Sequence, residues 1–305
     1  MSELLTAPFE RPYLTRALLE LLLLGGAAAV VGVFVLLRRL AFLTDALTHT
    51  VFPGVVVGFL VGGDGGIFPG ALVFGVLSAV LFTMLAQRVA EDSALAILLT
   101  GFFAIGVILV SRRSSYSSDL TAFLFGRVLT VRSDDIVTTA VVSALVLAIL
   151  GGLRKELLLV AFDPLAARAA GYRVAALDLA LNVSIALIVV AAVRAVGTVL
   201  VIALIVVPAA TARLLSDRIA VVTVIAAGLG MAGGWVGLVT SYSVSVDHGI
   251  RLATGATVVL VLVAAYLLVF AATTLHDHLR RRGRPAGGPR ATAVDDIATP
   301  VVTTR

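Results

Sequence analysis

The sequence contains no cysteine. Disulfides, thiol nucleophiles and cysteine-held clusters are therefore excluded, and no redox context can be read. Charge is scarce too: Asp, Glu, Lys and Arg make up 13% of the 305 residues, where a soluble domain carries about 25%. No glycine-rich loop runs into Lys-Ser or Lys-Thr, so the chain has no phosphate cradle of its own for ATP. There is no His-Glu-x-x-His pair and no nucleophile–base arrangement, which removes support for an intramembrane hydrolase. The net charge of +5 does not point to nucleic acid, because the arginines flank apolar runs and form no basic stripe.

What the chain does have is apolar length. Hydrophobic residues make up 60% and the mean hydropathy is +1.11. Runs such as LLLLGGAAAVVGVFVLL and TVIAAGLGMAGGWVGLV are unbroken, whereas a β-barrel would show alternating segments of about ten residues. Several blocks reach the ~20 residues that a helix needs to cross a bilayer. The fold class is therefore all-α, a polytopic transmembrane helical bundle of about nine spans, with eight to ten crossings open. The predicted spans are roughly 17–37, 46–63, 67–86, 94–111, 135–153, 175–193, 196–214, 219–240 and 252–273. The second carries Asp45, His49 and Pro53 and reads as a broken or partly re-entrant helix. Residues 1–16 form an N-terminal segment without the features of a cleaved signal peptide. Residues 17–273 form the membrane domain. Residues 274–305 form a tail rich in Gly, Pro, Ala and Thr, expected to be largely disordered.

Orientation follows from basic residues. One set of loops holds Arg38, Arg39, Arg154, Lys155, Arg168, Arg213, Arg218 and the tail's Arg280, Arg281, Arg282 and Arg284, and is the richer one. It is expected on the cytoplasmic side, in a plasma or inner membrane, with the C-terminus inside. The segment 112–134 is then external, and DLTAFLFGRVL within it reads as a short interfacial helix against membrane lipid.

Three motifs carry candidate chemistry. In RRLAFLTDALTHTVFPG, Asp45 and His49 stand one helical turn apart and share a face. Ionisable groups inside a span usually face a cavity, a substrate path or each other. A carboxylate and an imidazole together also suit a divalent transition metal, although a pair bridging two helices is an equally simple use. In FDPLAARAAG, Asp163 suits an N-cap, Pro164 the first helical position and Gly171 the stop, with Arg168 between them. This is either a well-capped surface helix or one that docks a cytoplasmic partner. In GTVLVIALIVVPAATAR, Gly197 opens a span after a short loop and Pro208 interrupts it beside small residues. That is an ordinary packing helix or a gate with a hinge.

These motifs, together with EDSALAILLTGFFAIGVILVS and DLTAFLFGRVL, occur in the same order as in the membrane permease subunits of ABC importers for manganese, zinc and ferrous iron. The chain resembles that family from about residue 17 to 273. The resemblance implies a fold similar to the cobalamin and siderophore permeases, and a subunit without ATPase activity. It implies two permeases, identical or paralogous, each docking a cytoplasmic ATP-binding subunit. It also implies an extracellular metal-binding lipoprotein that delivers the ion. Asp45 and His49 would line the metal pathway, and two copies would offer two of each. The helix at 162–171 would be the coupling helix seated on the ATPase. No cofactor is expected to stay bound; the metal is cargo, and ATP belongs to the partner. The chain departs from the family at Ala94-Leu95-Ala96 and Ala253-Thr254-Gly255, which bears on loop geometry.

Other polar residues have plainer readings. Asp119 and Arg127 could touch a delivery protein. Asp247 and His248 sit in a predicted external loop, as an entry site or as solvated residues. His276, Asp277 and His278 read as a polar helix end, and Glu91 and Asp92 as an acidic helix start. The alternative function is a proton-coupled secondary metal transporter using Asp45 and His49 as a relay.

Overall fold

A computed structural model describes residues 11–111, 128–248 and 252–282. Its described residues are helical with short connections, as lipid requires: inside a bilayer every backbone amide must find its partner within the segment or in a closed barrel. The helices are α1 (Pro12–Leu37), α2 (Ala41–Thr50), α3 (Phe52–Gly62), α4 (Ile67–Leu85) and α5 (Glu91–Ser111). They continue as α6 (Ser133–Gly152), α7 (Arg154–Phe162), α8 (Pro164–Ala169) and α9 (Val174–Val196), then α10 (Thr198–Leu215), α11 (Ile219–His248) and α12 (Thr254–Arg282). Among the described residues, eight stretches are long and apolar enough to cross a membrane.

One of these, Ala41–Leu85, is too long for a single crossing and doubles back. At 45 residues it would extend about 67 Å, twice a bilayer's hydrocarbon thickness. The reversal lies at Gly63–Gly66, where Gly63 takes a φ of 60° that favours glycine. A Cβ on Gly58 would meet the carbonyl oxygen of Gly66 at 2.1 Å, and one on Gly54 that of Gly70 at 2.5 Å. These paired positions mark antiparallel legs in backbone contact. Counting both legs gives nine candidate crossings among the described residues, with α2 and α3 forming one leg broken at Val51.

Helix α1 is the axis of the bundle, packed by α10 and α11 on one side and α6 and α9 on the other. Its apolar residues, with those of α9 and α10, make the main core. Helices α6 and α12 are peripheral and largely open. Helix α1 begins at Pro12, which needs no amide partner at that position, and α12 continues to Arg282. The connection between α6 and α9 is not an open loop, because α7 and α8 fill it.

Two sequence expectations change. Pro208 does not interrupt its span: α10 runs unbroken from Thr198 to Leu215 with Pro208 buried inside it. The proline forfeits one backbone hydrogen bond, and packing on both sides holds the helix together without it. Asp247 and His248 are not in a loop but form the last residues of α11. The segment expected as an interfacial helix, with Asp119 and Arg127, lies outside the described residues, apart from the short turn Val128–Thr130.

Candidate metal pathway and its supports

Helix α1 ends in a tight reversal that aims α2. The Leu40 amide bonds the Val35 carbonyl at 2.8 Å and the Arg39 amide the Leu36 carbonyl at 3.2 Å. That is the paired closure of a Schellman cap. It places Arg39, instead of the usual glycine, at φ 58°. Helix α2 then restarts at Ala41 and presents Phe42, Asp45 and His49 along one face, at spacings of three and four.

The Asp45 carboxylate lies 3.8 Å from His49 Nε2, an ion-pair distance longer than a hydrogen bond. The His49 ring also meets Phe103 of α5 edge-on, with centroids 6.4 Å apart. Both polar side chains are accessible in the single chain, at 46% for Asp45 and 39% for His49. Phe42, at 74%, continues the same open face. Among the described residues no three His, Asp or Glu side chains converge to hold a metal ion. One chain therefore offers a carboxylate oxygen and an imidazole nitrogen on an open face, a donor pair suited to a divalent transition metal but short of a full set.

Helix α8 is closed at both ends. The Ala166 amide donates to Asp163 Oδ1 at 2.8 Å, and Pro164 occupies the first turn. At the other end the Tyr172 amide bonds the Ala167 carbonyl and the Gly171 amide that of Arg168, with Gly171 at φ 86°. Leu165 and Phe162 stand out at 74% and 68% exposure, while Ala167 is buried against the bundle. A rigid two-ended helix with apolar side chains facing away from the core has the form of a docking element. Gly197 joins α9 to α10 at φ 82°, a left-handed conformation that other residues avoid. Glu91 and Asp92 stand in the first turn of α5, where acids suit the helix dipole. His276 and His278 are exposed on the last turns of α12.

Sequence reasoning missed two polar clusters. At the α1–α2 joint, Arg38 pairs with Asp178 of α9, both largely buried, and Arg168 of α8 adds a second positive charge toward Asp178. This ties α8, the base of α9 and the joint that aims Asp45 into one electrostatic group. At the opposite end, Glu20 of α1 accepts the Thr139 hydroxyl at 2.6 Å, and Asp135 pairs with Arg194 at 2.8 Å. The signal for Glu20 was in the sequence, as an acid standing alone in ALLELLLL. The partners were not legible, because they come from α6 and α9, more than a hundred residues away.

Comparison with known proteins agrees with this architecture. A family profile described as the ABC 3 transport family matches residues 10–273. The manganese transport system membrane protein MntC of Halalkalibacterium halodurans is 37% identical over 285 residues, covering 92% of this chain and 95% of that protein. The manganese import system permease protein ScaB of Streptococcus gordonii is 34% identical over 272 residues, covering 88% and 95%. Among solved structures, PsaBC from Streptococcus pneumoniae in complex with Fab superposes with a TM-score of 0.75 at 32% identity, over 88% of this chain and 95% of that one.

Proposed function

The chain belongs to the ABC 3 transport family, and from that premise we propose that it is the permease subunit of an ATP-driven manganese importer. The observation that carries the reading is the Asp45–His49 pair: two metal donors one turn apart, within the membrane, on a face the single chain leaves open. A second permease copy seated on that face brings a second Asp45 and His49. The doubled set then supplies oxygen and nitrogen donors to one ion. Loose binding suits transit, because a site that must release its cargo gains nothing from a closed cage. The curated relatives named for manganese favour it over zinc or iron.

The energy comes from a partner. ATP binding draws two cytoplasmic ATPase subunits together, each carrying the α8 seated on it. Leu165 and Phe162 supply the apolar contact, and the caps at Asp163 and Gly171 keep α8 rigid enough to transmit the motion. Arg168 and the Arg38–Asp178 pair pass it to the joint before α2, so the ion path opens alternately outward and inward. Gly197 sits at the joint where α9 and α10 can flex against each other, and Pro208 stands within α10. The excess of arginine on one set of loops supports an orientation with α8 and the C-terminus in the cytoplasm and the Glu20 end outside. An extracellular binding protein delivers the metal there.

Copurification tests the partner. The chain expressed with the ATPase subunit of a manganese ABC importer should hold that subunit through detergent extraction. Recovery of the chain alone, at conditions where a known importer stays whole, would contradict the reading.

A further inference from the structure

Among the described residues Glu20 is the one ionisable side chain that is fully buried, at 0% exposure. It stands eight residues into α1, about 12 Å along the axis from Pro12. Its Oε1 accepts the Thr139 hydroxyl, while its Oε2 has no partner among the described residues. The metal pathway at Asp45 and His49 does not use it.

The charges around it are few. On α6, Asp135 lies one turn before Thr139, with exposed Asp134 and Arg132 beyond. On α9, Arg194 forms an ion pair with Asp135. On α1 itself Arg16 is one turn further out and exposed. Helix α10 brings only Arg213, at its far end. On α11 the residue level with Leu21 is Gly234, and its one charge, Asp247, lies about 20 Å further out. Among the described residues the group therefore holds two carboxylates against one guanidinium, and that guanidinium is engaged by Asp135. One negative charge is left over, and it falls on Glu20, the fully buried member of the group. A carboxylate in that position neutralises, because leaving it ionised costs many times what a hydrogen bond returns. A way in exists: a small cleft lined by Phe68, Asp135, Thr138, Thr139 and Arg194 runs from the half-exposed Arg194 to the residue that bonds Glu20.

We propose that Glu20 is a proton-binding site, carrying a proton on Oε2 while α1, α6 and α9 are packed as here and exchanging it through the Asp135–Arg194 cleft. Thr139 and Asp135 both belong to α6, a peripheral helix held at this end by these two polar links. When α6 moves from α1, water reaches Glu20, the O–H bond breaks and the proton leaves to solvent, with the electron pair kept by the carboxylate. Acid thus favours the packed arrangement and alkali its opening. The site tunes the conformational cycle by proton concentration and does not depend on which metal the permease carries.

Infrared spectroscopy of the full-length chain in lipid nanodiscs tests it without any transport. The expected result at neutral pH is a protonated-carboxyl C=O band in the wild type that is absent from Glu20→Gln. A difference spectrum without that band overturns the proposal. Should Glu20→Gln fail to fold, Thr139→Val decides instead. Removing the donor to Oε1 should move the band to higher frequency, and an unmoved band assigns the proton elsewhere and overturns the site.

Discussion

Asp45 and His49 are accessible and stand on one helix, with His49 also edge-on to Phe103 of α5. Replacing either with Ala should leave the fold unchanged while uptake falls by more than ~10-fold, since lost metal donors cost at least what lost supporting residues do. Full uptake in both variants, measured on equal amounts of folded complex, would remove them from the pathway. Small residues set the opposite kind of constraint. A Cβ on Gly32 would stand 1.7 Å from the Ile205 carbonyl oxygen, where α1 presses on the α10 backbone. Gly32→Ala should therefore cost about 1–3 kcal/mol or more, seen as a lower melting temperature in detergent. Gly228 has nothing within 4 Å of its Cβ direction, so Gly228→Ala should stay within about 0.5 kcal/mol of wild type. Equal effects from the two substitutions would contradict the packing described. Neither outcome was readable from the chain, where both are merely glycines in apolar runs.

At the scale of elements, the spans were legible because lipid leaves one solution for an apolar run of ~20 residues. The caps of α8 were legible for a local reason: Asp-Pro at the start and Gly at the end act within four residues of themselves. Helix α7 was not, because RKELLLVAF is short and its pattern is weak without the bundle beneath it. At Pro208 the structure agrees with the packing-helix reading and shows no interruption, since packing, not local preference, decides whether a helix survives a proline. Helix α8 predicts a division of labour. Asp163→Ala should cost about 1 kcal/mol of local helix stability and reduce ATPase copurification in part. Leu165→Asp, at an exposed position, should abolish copurification and leave the melting temperature unchanged. Loss of melting temperature without loss of the partner would make α8 a structural prop. At the α1–α2 joint, Asp178→Ala strands Arg38 in a largely buried position and should cost about 1.5–3 kcal/mol. Restoring the pair in reverse, as Arg38→Asp with Asp178→Arg, should recover part of it.

The whole molecule is a bundle around α1 whose open face carries Asp45 and His49. The donor types and their spacing could be read from the sequence, but the openness of that face could not, because exposure is a property of the packed bundle. The absence of cysteine makes the face directly testable. Phe42→Cys introduces a lone thiol on it, and mild oxidation in membranes should link two copies; monomer alone would contradict a paired face. The most direct test of the central claim is uptake of manganese into proteoliposomes holding this chain, its ATPase and its binding protein, with and without internal ATP. ATP-dependent accumulation is the predicted result. Uptake that ignored ATP and followed an imposed proton gradient would contradict it, and would turn Asp45 and His49 from metal donors into a proton relay.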